Sequence, residues 1–144
     1  MTLARWDESL ALGVPAIDAD HRRLIEAINR LHFLGGSQED TAALASTLGE
    51  VLDYTRSHFH REEMLMRLAG YPGYRAHCAL HRKAAERAEQ WEARCLADPT
   101  GARVRAFTEA LSDWLLAHIH EEDVQLKPYV ERLKEAQSIE TEAA

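Results

Sequence analysis

Cysteine is scarce: Cys78 and Cys95 are the only two in 144 residues. Neither lies in a CxxC pair, which argues against a thiolate metal site of the zinc or iron–sulfur kind. Both fall in helical patterns and are read as free thiols of a reducing compartment. Long apolar runs are missing too, and none approaches the roughly 20 residues that span a bilayer. The first twenty residues carry Arg5, Asp7, Glu8, Pro15 and Asp18 instead of a basic start followed by an apolar stretch. The expectation is therefore a chain with no signal peptide and no membrane span, located in the cytoplasm. Positive charge is not in excess: 17 Lys and Arg face 24 Asp and Glu, for a net charge of −7. The basic residues are interleaved with glutamate, so the footprint that nucleic-acid binding needs is absent. No segment alternates like a strand, and no internal repeat is evident.

What is present is a helical period. The length suits one domain with a single core. Residues 1–17 read as an irregular N-terminal arm, with Trp6 standing alone and Gly13 and Pro15 breaking any helix. From Asp18 or Asp20, either able to cap a helix, His21, Leu24, Ile25, Ile28 and Leu31 recur at helical spacing until Gly35-Gly36. Asp40 can cap a second helix with the inner stripe Leu44, Leu48, Val51, Leu52, Thr55, His58, Glu62 and Met66, stopped by Gly70 and Pro72. A third runs from about Tyr74 to Ala97, with His77, His81, Ala84, Ala88, Trp91 and Cys95 on one face. Asp98-Pro99-Thr100-Gly101 is a break. The fourth helix carries Val104, Phe107, Leu111, Trp114, Leu115 and His118 and fades near Pro128. Four amphipathic helices joined by short loops predict an all-α fold, an antiparallel up-down-up-down four-helix bundle over residues 18–132. Residues 133–144 are left as a short polar tail.

The inner stripes hold the wrong residues for a plain core. His21 lies in line with Leu24 and Ile28, and His58 and Glu62 follow Val51 and Thr55. His77 and His81 precede Ala84, and His118 follows Leu111 and Trp114, with Asp123 five residues on. A buried unpaired carboxylate costs several kcal/mol and an unsatisfied imidazole about 1–3 kcal/mol. Seven such groups would exceed the roughly 5–15 kcal/mol of net stability that a domain has. A metal removes the penalty by neutralising the carboxylates and taking the imidazole lone pairs. The pairs His58/Glu62 and His77/His81 are four residues apart, about 40° around a helix, so each presents two groups to one point. His118 and Asp123 are roughly 140° apart on an ideal helix, which implies a carboxylate reaching across or a locally distorted turn. Imidazole and carboxylate suit iron, zinc or manganese. Seven ligands are too many for one tetrahedral zinc and suit two metals that share the carboxylates and leave one position open. His60 and His120 sit two residues from a candidate ligand and face away from it. They are read as solvated, His32 as not needed for the ligand count, and Tyr54, Trp91 and Trp114 as core.

The stretches Ile17-Asp18-Ala19-Asp20-His21, His58-Phe59-His60-Arg61-Glu62-Glu63, His77-Cys78-Ala79-Leu80-His81 and Trp114-Leu115-Leu116-Ala117-His118-Ile119, followed by Asp123, resemble the hemerythrin family, in particular its bacterial single-domain members. Gly70-Tyr71-Pro72 and the early Trp6 fit the same resemblance, which spans roughly residues 5–130. It implies two non-haem iron ions joined by an oxo or hydroxo bridge. His77, His81 and His118 would hold one iron, His21 and His58 the other, and Glu62 and Asp123 would bridge them. The two-histidine iron would be the one that takes O2, with Leu116 and Ile119 lining the pocket.

The resemblance implies reversible O2 binding, as carrier, store or delivery protein, and no enzyme activity. Two alternatives stand beside it: an O2 or redox sensor acting through a separate partner, and a di-iron oxidase or ferroxidase. Ferritin-like di-iron sites use about four carboxylates and two histidines. Five histidines with two carboxylates offer less anionic support to high-valent iron, which favours reversible binding. A protein acceptor of the O2 is not identified by the sequence.

Overall fold

The computed structural model describes residues 3–37, 41–97 and 100–143. They form α1 (Pro15–Ser37), α2 (Thr41–Leu68), α3 (Tyr74–Ala97), α4 (Gly101–Glu121) and α5 (Lys127–Ala143), with 3-10 turns at Glu8–Leu10 and Asp123–Leu126. No strand occurs among the described residues. The first four helices form the four-helix bundle, α1 packing against both α2 and α4, and α3 against α2 and α4. No helix is long and apolar enough to cross a membrane, among the described residues.

The apolar stripes close the core. Leu24, Ile28 and Leu31 of α1 are buried with Leu48, Val51 and Leu52 of α2, and Val104 and Phe107 of α4 join them. Helix α3 is poorer in large apolar residues; its buried positions are His77, His81, Ala88 and Cys95. It ends one wall of the bundle with the polar site where an ordinary core would continue.

Several boundaries differ from expectation, each for a local reason. Pro15 opens α1 three residues before Asp18, because a first-turn residue has no intrahelical partner for its N–H and proline loses nothing there. Asp18 is then inside the first turn, and its carboxylate accepts the N–H groups of Leu12 (2.8 Å) and Gly13 (3.1 Å), folding the arm onto the helix. The arm is not irregular throughout: Asp7 caps the short turn at Glu8–Leu10, and the Asn29 side chain holds the backbone of Leu3 and Ala4. Gly35-Gly36 does not end α1. A Cβ on Gly35 would stand 3.1 Å from the Arg105 side chain and 3.3 Å from the Gly101 carbonyl, so this glycine lets α1 and α4 approach closely. The Asp40 cap and Asp98-Pro99 lie outside the described residues.

Gly70 does stop α2. Its φ of 66° suits glycine, and the N–H groups of Gly70 and Tyr71 close on the carbonyls of Arg67 and Met66. Pro128 does not trim α4, which already ends at Glu121; it sits in the first turn of α5. Residues 133–143, expected to form a loose tail, instead continue α5, whose Val130 is in the core and whose Lys134 donates to the Gly13 carbonyl.

Candidate metal centre

All seven candidate ligands are buried at one level of the bundle: His21, His58, Glu62, His77, His81, His118 and Asp123. One or two come from each of the four helices, and Asp123 from the turn after α4. Helix α4 breaks at Glu121 and rewinds as a 3-10 turn from Asp123, which brings that carboxylate back to the face of His118. The 140° mismatch of the sequence is resolved by this change of helix type.

The groups sort into two overlapping sets. Glu62, His77, His81, His118 and Asp123 offer five atoms within 4.8 Å of one another; His21, His58, Glu62 and Asp123 offer four. The imidazoles meet through Nε2: His81 and His77 each lie 3.1 Å from His118, and His21 lies 3.0 Å from His58. Glu62 turns Oε1 to His77 (2.8 Å) and His81 (3.2 Å), and Oε2 to His58 (3.3 Å) and His21 (3.4 Å). Asp123 turns Oδ1 to His77 (3.0 Å) and His118 (3.1 Å), and Oδ2 to His21 (3.2 Å).

These separations fit a metal pair. Donor atoms about 2.1 Å from one ion stand about 3.0 Å apart at right angles and about 3.4 Å at the tetrahedral angle. The nitrogen–nitrogen spacings sit at the right-angle value, as six-coordinate-type ions require. Glu62 Oε2 and both oxygens of Asp123 are sealed from solvent without a hydrogen-bond donor, although imidazole nitrogens stand close to them. In each set the nitrogens and oxygens crowd within 4.8 Å of one another, as the ligands of one cation do.

Without a cation, protons carry the balance. Burial lowers the pKa of His21, but Asp123 and Glu62 outweigh it and carry it up to about 9. Burial and the same two carboxylates set His77 at about 9. Burial opposes ionisation of Glu62 and Asp123, yet the surrounding imidazoles hold both below the ordinary carboxylate range.

The surrounding residues include several that sequence reasoning missed. Asp20 is buried and caps nothing. It receives the Tyr54 hydroxyl (2.7 Å), Arg61 Nε (2.7 Å) and Nη2 (2.9 Å), and lies 3.1 Å from His58 Nδ1. Burial resists its ionisation, and these donors overcome that and hold its carboxyl well below the usual range. Tyr54, read as core, is a donor to this carboxylate. A signal existed: Tyr54, His58 and Arg61 follow one helical stripe at i, i+4 and i+7. On the other side Glu63 lies 3.3 Å from His81 Nδ1. Phe59 stacks on His81 with centroids 4.0 Å apart, and Trp114 stacks on His118 at 4.5 Å.

His32 is half-buried and bonds the Thr108 hydroxyl at 2.7 Å. His60 and His120 are exposed, as expected. Ile119 is fully buried, but Leu116 is only half-buried. Leu116 lies two residues, about 200° of helix, from His118 and packs against the edge of the core. Leu115, three residues before His118, is the buried leucine.

Fold and site together define a class: a four-helix bundle enclosing two adjacent groups of imidazole and shared carboxylate, each able to hold a metal ion. A family model described as the hemerythrin HHE cation binding domain matches residues 12–130. A bacteriohemerythrin of Stenotrophomonas maltophilia is 37% identical over 135 residues, 93% of this chain and 84% of the relative. One of Pseudomonas aeruginosa is 36% identical over 134 residues, 92% and 83% of the two chains. A crystal structure of a hemerythrin mutant shares the fold with a TM-score of 0.81 over 90% of this chain and 98% of that one, at 24% identity. The chain belongs to the hemerythrin family.

Proposed function

We propose that the chain binds O2 reversibly at two non-haem irons, held by His77, His81 and His118 on one side, His21 and His58 on the other, and Glu62 and Asp123 between them. The observation that carries this reading is the inequality of the two donor sets, five atoms against four. An oxo or hydroxo group shared by the two irons would bring the counts to six and five. The incomplete position is the one with two histidines.

When bound, the iron pair supplies the electrons and the open position that O2 requires. The protein's part is to hold, orient and keep dry. His21, His58, Glu62 and Asp123 are each no more than 1% exposed. Leu115 and Ile119, also buried, flank His118 on α4, the helix packed against α1 and its His21. Exclusion of water from this region lets O2 leave as it arrived, without proton-driven side reactions.

Carriage, storage or delivery is favoured over oxidase chemistry by the ligand set of five histidines and two carboxylates. Free Cys78 and Cys95 fit a reducing, cytoplasmic setting. The test is a visible spectrum of the reduced, iron-loaded protein before and after air, with metal analysis of the same sample. About two irons per chain and an oxygen-dependent band support the reading. A single metal per chain, or zinc without iron after growth in ample iron, overturns it.

A further inference from the structure

The two sides of the centre are supported unequally. Asp20 is 5% exposed. It takes four contacts through two oxygens: Oδ1 receives Tyr54 and Arg61 Nη2, and Oδ2 receives Arg61 Nε and faces His58 Nδ1. Glu63, its counterpart beside His81, has a side chain 28% exposed and stands at the longer 3.3 Å. His21 and His77 have outer Nδ1 atoms buried without a hydrogen-bond partner. Among the ligands of the two-histidine position, His58 therefore has a buried carboxylate behind it and His21 has none.

A carboxylate on the far nitrogen of a ligating imidazole fixes its tautomer and ring orientation and makes Nε2 a stronger donor to the metal. The strength of that effect depends on how much of the carboxylate's charge is already taken. Arg61 grips Asp20 with two charge-assisted hydrogen bonds, and Tyr54 adds a third. The Arg61 side chain is 42% exposed and its guanidinium lies 5.5 Å from the Tyr54 ring centroid. Arg61 thus connects the bundle surface to the buried ligand through one carboxylate.

We propose that Asp20 is the positioning residue of the open metal position, and that Arg61 and Tyr54, by sharing its charge, set how strongly His58 donates to the metal. The proposal rests on the di-metal reading and adds to it a tuning device outside the ligand set. The physics gives opposite signs at neighbouring residues. Asp20→Asn removes the anion behind His58, weakens the donor and disfavours the ferric state, so the reduction potential rises. Arg61→Gln returns charge to Asp20, strengthens the donor and lowers the potential. Tyr54→Phe acts as Arg61→Gln does, with a smaller shift.

The experiment measures iron content and reduction potential of the full-length iron-loaded protein and these three variants. Zinc-loaded samples give a second readout, the NMR shift of the His58 Nδ1 proton. Expected are a higher potential and an upfield proton for Asp20→Asn, and a lower potential and a downfield proton for Arg61→Gln and Tyr54→Phe. Asp20→Asn should also bind metal about 10- to 100-fold more weakly, while the other two keep the native iron content. A merely structural role would loosen the site in every variant and move all three the same way; that result, or unmoved potentials, overturns the proposal. If Asp20→Asn does not retain iron, the sign for Arg61→Gln decides alone, and a rise or no change overturns it. A wild-type protein without an iron pair would overturn the di-iron reading instead, and the zinc-loaded proton shifts would still judge the Asp20 device.

Discussion

Glu62 and Asp123 face the same two points from opposite sides of the bundle, each giving one oxygen to the three-histidine set and the other to the two-histidine set. Neither carboxylate can be replaced from elsewhere, because both are sealed from solvent. Glu62→Ala should therefore lower iron content below two per chain and lower the melting temperature of the iron-loaded protein. Removing one partner of a buried ionic cluster costs about 3–5 kcal/mol. His60→Ala, at an exposed position two residues away, should match wild type in both measurements. Equal losses from the two variants would show that Glu62 is not a shared ligand.

Phe59 lies flat on the His81 ring, with 3° between the planes, and meets the Trp114 ring edge-on at 5.7 Å. It is 5% exposed, so it both fills the core and restrains a ligand. Phe59→Ala should cost about 3–5 kcal/mol of stability, as large-to-small changes in cores do. Phe59→Leu should recover most of the stability but not the ring stack, leaving faster loss of metal to a chelator. Thermal melts paired with chelator release test this. A Phe59→Leu protein that releases metal at the wild-type rate would mean the stacking does not hold His81.

Much of this centre was legible because the ligands interrupt apolar stripes. Each of His58, Glu62, His77, His81 and His118 occupies a place where a bundle helix expects leucine, and each is buried. Asp123 was the hard case, since its phase is set by a switch to 3-10 geometry that spacing alone can only demand. The misjudged positions share a different cause. Pro15, Pro128 and Gly35 were read as breakers, yet proline is neutral in a first turn and glycine serves a close helix crossing. Asp20 and Arg61 were hidden because a buried charge network looks, in sequence, like two more surface charges.

The metal-free protein should show a stability maximum in mildly acidic to neutral solution. His21 and His77 have folded pKa values raised to about 9 from 6.5, so their contribution is complete below 6.5 and is lost as pH rises through about 9. Glu62 and Asp123 have lowered values, so their contribution is present above the ordinary carboxylate range and is lost as pH falls below it. Melting temperatures of chelator-treated protein should therefore fall on both sides of a plateau between about pH 5 and 6.5. Loading with iron should release protons and flatten the alkaline fall, because the metal takes over the role of the imidazolium charges. An alkaline limb of equal steepness with and without metal would contradict this account.

Reversibility separates a carrier from an oxidase. Leu115 is 3% exposed and Ile119 fully buried, so the α4 wall next to His118 is apolar on the inside. A polar side chain there would draw water and its protons toward the reactive position. Wild-type reduced protein should gain a visible band in O2 and lose it on degassing over several cycles. Leu115→Asn should keep the iron content but lose the band's reversibility within fewer cycles, as oxidation to the di-ferric form outruns release of O2. Leu116→Asn, on the half-buried side of the same helix, should cycle like wild type. If Leu116→Asn loses reversibility and Leu115→Asn does not, the pocket lies on the other face of α4. If the wild-type band does not reverse even once while added ferrous iron is turned over, the centre consumes O2, and the protein is an oxidase built on the same di-iron site.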